Sequence, residues 1–272
     1  MHSSTGHYHA GMPQLSFTGL SENWLLKECG HRHWEALAAD TGRSVPDFVA
    51  DDGSRSYAAF TAVRLRAQAF DDLAENEAFS VETQLCRIGP IRHFSRHRIA
   101  SGSKAIATLS MISTFVRRTE TGNNRSVARA VFERLTGDTA QLPQDAREMT
   151  EAGKLLRKGK SEGIVECKPV DAGDRTPTVF LPCPNNDFNG ADFLYFASFQ
   201  SFVDRAEWQA YRFEQPPVLA SRDVFFHGNL NVGDELRVEF AGRSIDKHRI
   251  VHWCEVFRVS DDQKIADVVT EK

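Results

Sequence analysis

The sequence predicts an α+β protein made of two similar halves, each an antiparallel sheet folded around one buried helix. Three observations predict it. First, two stretches alternate at a period of two: Phe79, Val81, Thr83 and Leu85 against Ser80, Glu82 and Gln84, and Leu236, Val238 and Phe240 against Glu235, Arg237 and Glu239. Such alternation marks half-buried antiparallel strands, not the uniformly apolar strands of a parallel sheet. Second, the pattern recurs in order and at a nearly constant interval. Phe79-Ser80-Val81-Glu82 matches Leu236-Arg237-Val238-Glu239, Arg92-His93 matches Lys247-His248, and Lys104-Ala105-Ile106-Ala107 matches Lys264-Ile265-Ala266. Third, residues 192–211 carry Phe193, Leu194, Phe196, Phe199, Phe202, Val203 and Trp208, apolar on more than one face, as in a helix enclosed by protein.

Taken in order, residues 1–18 read as a disordered polar lead-in, because MHSSTGHYHAG lacks the charged and apolar regions of a signal peptide. Its His2, His7 and His9 form a solvated extension, with adventitious metal binding as the alternative reading. The N-terminal half, residues 19–118, has a short helix at 33–40 stopped by Thr41-Gly42. Its strands follow at 58–65, 79–85, 93–100 and 105–117. Residues 119–178 form a polar connector with Gly122-Asn123-Asn124, Pro143, one or two surface helices and a basic run at 154–160. That run is a solvated face or, alternatively, a docking patch for an acidic carrier protein. The C-terminal half, residues 179–272, has the longer buried helix at 192–211 and strands at 223–227, 236–240, 249–259 and 264–270. A buried helix wrapped by an antiparallel sheet, present twice, is a tandem (double) hotdog, with ligands expected between the halves.

Composition bounds the function. Hydrophobic residues at 41 %, charged residues at 26 % and a net charge of −4 describe a globular chain without a dominant polyanion-binding surface, so no nucleic-acid partner is expected. The apolar run at 105–116 is shorter than the roughly 20 residues a bilayer span takes, so no membrane role is expected. Cys29, Cys86, Cys167, Cys183 and Cys254 are scattered without a C-x-x-C pair, which fits reduced thiols in the cytoplasm and gives structural zinc no support. No Gly-rich phosphate loop, nucleophile elbow or metal-ligand cluster occurs, so neither a metal nor a bound cofactor is expected.

The chemistry-bearing segment is Asn185-Asn186-Asp187-Phe188-Asn189-Gly190-Ala191-Asp192-Phe193-Leu194-Tyr195, at the entrance to the second helix. The Asn189 amide offers two donors without a titratable charge. At a helix N-terminus it either donates to a thioester carbonyl, stabilising the developing oxyanion or enolate, or serves as the helix cap. The segment resembles the hotdog thioesterase motif, in which an acidic residue and a Gly-His-Val-Asn-Asn stretch precede a helix bearing a Tyr. Asp187, Gly190 and Tyr195 fit that pattern as substrate-binding positions, but Ala191 stands where the histidine belongs. Asp187 also reads as a capping carboxylate and Tyr195 as core. In the first half, Tyr57 opens a strand after Asp51-Asp52-Gly53, in a chain with 19 Phe and only 4 Tyr, and is either a nucleophile or core. His31, beside Cys29-Gly30, is a candidate base with Asp40 or Asp187, although the His, Gly and Pro spacing of hotdog dehydratases is missing.

Gly19-Leu20-Ser21-Glu22-Asn23-Trp24-Leu25-Leu26-Lys27-Glu28-Cys29-Gly30, Ser56-Tyr57-Ala58-Ala59-Phe60, and Asn186-Asp187-Phe188-Asn189-Gly190 with Leu194-Tyr195-Phe196 resemble the LnmK-like biosynthetic hotdog family. The resemblance implies an acyltransferase/decarboxylase that takes (methyl)malonyl-CoA, releases carbon dioxide and loads an acyl carrier protein in polyketide or related secondary metabolism. It implies that Tyr57 serves acyl transfer and that Asn189 contacts the substrate carbonyl. Acyl-CoA and acyl carrier protein are the partners, coenzyme A enters as substrate, and a homodimer is an allowed assembly. The alternatives are a hotdog thioesterase or dehydratase on carrier-bound acyl thioesters, and a non-catalytic acyl-thioester binding protein.

Overall fold

The computed structural model describes residues 2–132, 139–246 and 249–272. The Lys247-His248 match to Arg92-His93 therefore lies outside the described residues. Nine main strands form one sheet: β1 (His2–His9), β2 (Arg55–Ala67), β3 (Ala78–Arg87), β4 (Arg92–Ser101), β5 (Lys104–Arg118), β6 (Ser221–Phe226), β7 (Leu236–Ile245), β8 (Ile250–Arg258) and β9 (Gln263–Glu271). Their spatial order is β1-β3-β4-β5-β2-β6-β9-β8-β7, and every neighbouring pair is antiparallel. Short strands at Val127–Arg129, Lys168–Pro169 and Thr178–Phe180 extend it.

Among the described residues, three helices of 14 residues or more complete the fold, with a single four-residue turn of helix at Pro184–Asp187 ahead of the last of them. α1 (Glu22–Asp40) and α3 (Phe196–Tyr211) share one core with the inner face of the sheet, through Leu25, Leu26 and Cys29 on α1 and Phe199, Phe202 and Val203 on α3. The apolar face of α2 (Gln144–Arg157) covers the other side: Ala146, Met149, Ala152 and Leu156 pack on Phe94, Ile112, Phe225 and Trp253. Burying that outer patch lets the central strands be apolar on both faces, unlike the peripheral alternating ones.

The two halves have the same topology. After each helix the first strand takes the centre of the sheet, the last strand pairs with it, and the third and second follow outward. β2 and β6 meet in the middle, and their register is symmetric about the Arg64–Asp223 pair: Ser221 opposes Arg66 where Phe225 opposes Ala62, and Arg222 opposes Leu65 where Val224 opposes Val63. On the axis the Arg64 guanidinium Nη2 sits 2.9 Å from the Asp223 carboxylate. The loop exits repeat too. Gln68 and Ala69 donate their backbone N–H groups to the Ile106 carbonyl, as His227 and Gly228 donate theirs to Ile265. Ile106-Ala107 and Ile265-Ala266, paired in the sequence, thus occupy matching positions.

The symmetry extends to buried polar clusters. His33 on α1 bonds Ser95 (2.7 Å) and Ser113 (2.8 Å), while Glu207 on α3 bonds His252 (2.7 Å) and Lys272 (2.6 Å). Each set joins one helix residue to the third strand of its half and to the last strand (Ser113) or the residue that follows it (Lys272).

Three expectations are corrected. Residues 2–9 of the lead-in form β1 on the edge of β3, with His2, Ser4, Gly6 and Tyr8 turned inward and Ser3, Thr5, His7 and His9 outward. The alternation is real but is written in small polar residues, and the inner row is met by polar partners: Arg32 donates to Ser4 Oγ (3.2 Å) and Tyr8 to Glu28. The first helix starts at Glu22 and not at residue 33, capped by Ser21, which accepts from the Trp24 N–H at 3.3 Å. Its inner face carries Arg32 and His33, which hides its amphipathic period. With 19 residues it is the longer of the two buried helices; α3 has 16 and starts at Phe196 because residues 189–193 are held in a loop.

Candidate functional site

Beyond the Ala62–Phe225 pair the two central strands part. β2 continues through residues 57–61 along β5, while β6 follows β9 to Phe226 and residues 227–229. A cleft of about 410 Å³ fills the fork between them, roofed by residues 189–199. Its inner end is aromatic: Phe60 meets Phe196 at 4.5 Å between ring centroids, and Phe199 meets Phe226 at 5.1 Å. Trp34 of α1 closes the end, its indole N–H donating to the Ala58 carbonyl at 3.0 Å. The mouth is polar, with Asn189, Asn229, His227 and Gln263 beside Arg125, Arg157 and Arg258. Of the basic run at 154–160, Arg157 lines this mouth.

Asn189 is not a helix cap. It stands ahead of α3 and closes the loop: its N–H donates to the Phe193 carbonyl (2.9 Å), and its Oδ1 accepts from the N–H groups of Ala191 (3.0 Å) and Phe193 (3.2 Å). The amide nitrogen makes no hydrogen bond to a described residue, so its two donors are left for the cleft. Asn229 and Asn124 fix this loop. Asn229 accepts from the Leu194 N–H (2.9 Å) and donates to the Leu194 carbonyl (3.2 Å). The buried Asn124 donates to the Leu230 carbonyl (2.7 Å) and to that of Asp192, and accepts from Arg118 at 2.6 Å. Arg118 in turn lies 3.9 Å over the Phe193 ring.

Tyr57 lines the same cleft, its ring edge-on to Phe193 at 5.4 Å and its hydroxyl without a hydrogen bond to a described residue. Opposite it, at the end of β6, His227 bonds Asp267 on β9, Nε2 to Oδ2, at 2.6 Å. Asp267 is fully buried, and its other oxygen accepts from the Trp253 indole (2.9 Å) and Lys264 (3.1 Å). A carboxylate held this way fixes the imidazole's orientation and, with Nε2 protonated, leaves Nδ1 as the basic nitrogen. Sequence reasoning missed this pair, whose members lie on separate strands. The available signal was Asp267 itself, a carboxylate inside the apolar Ile265-Ala266-Asp267-Val268-Val269.

The other expected positions do not line the cleft. The Asp187 carboxylate accepts from the Cys183 N–H (2.7 Å) at the start of the short helix Pro184–Asp187, and its carbonyl accepts from the Tyr195 N–H (2.7 Å), so the residue ties that turn to the segment leading into α3. Gly190 is exposed and has open space where a Cβ would stand. Tyr195 packs edge-on against Phe196 with Lys27 on its other side, and burial raises its phenol. His31 points outward from α1 to Glu35 (3.3 Å), both side chains being more than half exposed, and meets neither Asp40 nor Asp187.

No protein-family model matches the chain, and no curated relative does. The structure is similar to the 12:0-ACP thioesterase from Umbellularia californica (TM-score 0.67, 8 % identity, 98 % of this chain and 96 % of that one). It is also similar to a protein assigned as an oleoyl thioesterase from Lactobacillus plantarum (TM-score 0.66, 11 % identity, 99 % and 95 %). An acyl-ACP thioesterase from Bacteroides thetaiotaomicron gives a TM-score of 0.63 at 11 % identity over 98 % and 96 %. At these identities the likeness is one of fold: an antiparallel hotdog architecture shared over the whole chain.

Proposed function

We propose that this chain is a double-hotdog hydrolase of acyl thioesters, acting on acyl groups carried by an acyl carrier protein or coenzyme A. One observation carries the reading: a single cleft joins an aromatic end, the unpaired amide donors of Asn189 and the His227–Asp267 pair. The fold shared with acyl-ACP thioesterases supports it and favours hydrolysis over the acyl transfer that the sequence resemblance implies. In this reading the Asn189 amide donates to the thioester carbonyl as it becomes an oxyanion. His227 takes a proton from water as the water oxygen bonds the carbonyl carbon, and Asp267 steadies the imidazolium. Collapse of the tetrahedral adduct breaks the C–S bond, and His227 returns the proton to the leaving thiolate. Free acid and thiol are the products.

A second reading rests on Tyr57, which lines the same cleft and whose hydroxyl has no hydrogen bond to a described residue. With a nucleophilic phenol, the site would pass acyl groups to a carrier thiol after decarboxylation of (methyl)malonyl-CoA. Thiol release and intact mass measured on acyl-CoA, acyl-carrier and methylmalonyl-CoA separate the two. The expected result is free acid, with turnover reduced about 10²–10⁴-fold by His227→Ala, the range of a lost general base. Carbon dioxide release with an acylated carrier, lost in Tyr57→Phe and kept in His227→Ala, overturns hydrolysis in favour of transfer.

A further inference from the structure

The two-fold register that builds the first cleft builds a second one at the other end of the central strands. A cavity of about 630 Å³ opens there, lined by the turn ahead of α1, the exit of β2 and the entry of β6. Counting on from the Arg64–Asp223 pair, at the interval that also relates Ile106 to Ile265, Pro216 answers to Tyr57, Leu219 to Phe60 and Asn229 to Phe70. On the helices, Trp208 stands to α3 as Trp34 stands to α1. The chemistry is not repeated. Gln68 and Thr108 replace His227 and Asp267, so this end has neither the imidazole nor its carboxylate, and proline replaces the phenol.

The floor of this cavity has an incomplete polar set. Arg222, 1 % exposed, is paired through Nη2 with Asp204 (2.7 Å), while its Nη1 has no partner; nor does Oε1 of the buried Gln200. The charges around them balance, Asp204 and Glu207 against Arg222 and Lys272, because burial raises the Glu22 carboxyl beside Arg222 Nε to about 7. A ligand that completes this set presents an acceptor to the guanidinium and a donor to the carboxamide without adding a negative charge. An amide does both. At the mouth, Phe17 (89 % exposed) and Trp208 (50 % exposed) offer an apolar rim that the chain itself does not cover.

We propose that this second cleft binds the uncharged amide-bearing pantetheine arm of a thioester carrier and does not hydrolyse it. The ligand assignment rests on reading the first cleft as a thioester site. The test is equilibrium binding of pantetheine to the full chain by calorimetry and native mass spectrometry, alongside thioester hydrolysis. Two equivalents per chain are expected. Trp208→Ala weakens one of them at least tenfold and leaves kcat/KM for hydrolysis unchanged. Gln200→Leu removes the same binding event while raising Tm, because it deletes an unsatisfied buried acceptor. A merely structural Gln200 would move Tm and leave binding alone. Coenzyme A and a holo-carrier protein, each used as competitor, identify the source of the arm; displacement by neither overturns the proposal. One equivalent insensitive to Trp208→Ala also overturns it. Absence of hydrolysis with both equivalents present overturns the first-cleft reading instead.

Discussion

Asn189 does two things with one amide, and substitutions can separate them. Its Oδ1 holds the N–H groups of Ala191 and Phe193, while its Nδ2 makes no hydrogen bond to a described residue in a side chain that lines the cleft. Asn189→Asp keeps the acceptor and deletes the donors. Its expected effect is a fall in kcat of about 10²–10³, as for one lost oxyanion donor, with Tm nearly unchanged. Asn189→Ala loses the loop contacts too and lowers both. Turnover and melting measured on the two variants decide it; an Asp variant with parent turnover removes Asn189 from the chemistry. At this scale the sequence was half legible. Asn189 and Tyr57 stand out because their types are unusual where they occur. The Asp187 carboxylate, by contrast, is used up within four residues of itself at the Cys183 N–H, a local contact that no motif reveals.

Elements were legible where apolar residues write their period and illegible where polar residues do. β3 and β7 alternate Phe, Val and Leu with charges and are plain in the sequence. β1 alternates just as strictly, but in His, Ser, Gly and Tyr, and its stabilisation comes from ladder bonds and contacts to Arg32 and Glu28. α1 buries Arg32 and His33, so periodicity shows only its last half. Two substitutions test how elements are held. Gly19 has φ +106°, and a Cβ there would come 2.2 Å from the Phe70 carbonyl oxygen. Gly19→Ala should cost more than about 1 kcal/mol, since a left-handed φ and a backbone clash add. Met149 on α2 is fully buried against the outer face of the sheet. Met149→Ala should cost about 2–5 kcal/mol by leaving a cavity. Denaturant midpoints check both; a Met149→Ala loss below about 0.5 kcal/mol would mean α2 is not part of the cooperative core.

On the scale of the whole molecule, duplication was legible in the strands because Phe79 with Leu236 and Ile106 with Ile265 keep the inward rows of both halves. The helices hid it, since the residue facing each sheet is His33 in one half and Glu207 in the other. That divergence sets the response to acid. Burial pushes the imidazoles of His33, His93, His97 and His252 below the ordinary range, His93 to about 4 and His97 to about 3. The folded chain keeps them neutral where the unfolded chain, near pKa ~6.5, takes up protons. Folded values below unfolded ones mean stability is present above pH ~6.5 and is lost as pH falls toward the folded values. Glu22 acts oppositely, since burial raises its carboxyl and the folded chain keeps a proton that the unfolded chain releases. Near pH 5, unfolding thus takes up about three protons at His33, His93 and His97 and releases about one at Glu22, a slope of about 3 kcal/mol per pH unit to which His252 adds in the same direction. Asp204 and Glu207, held low by Arg222 and by His252 and Lys272 against the opposing cost of burial, extend the loss below pH ~4. Urea midpoints at pH 5, 6 and 7 should therefore fall steeply between 6 and 5. Replacing His97 with Gln, which keeps hydrogen-bonding capacity toward Thr83 and Ser95 without an ionisable ring, should flatten the slope by about 1.4 kcal/mol per unit. A slope unchanged in that variant would show that the buried histidines do not govern acid unfolding.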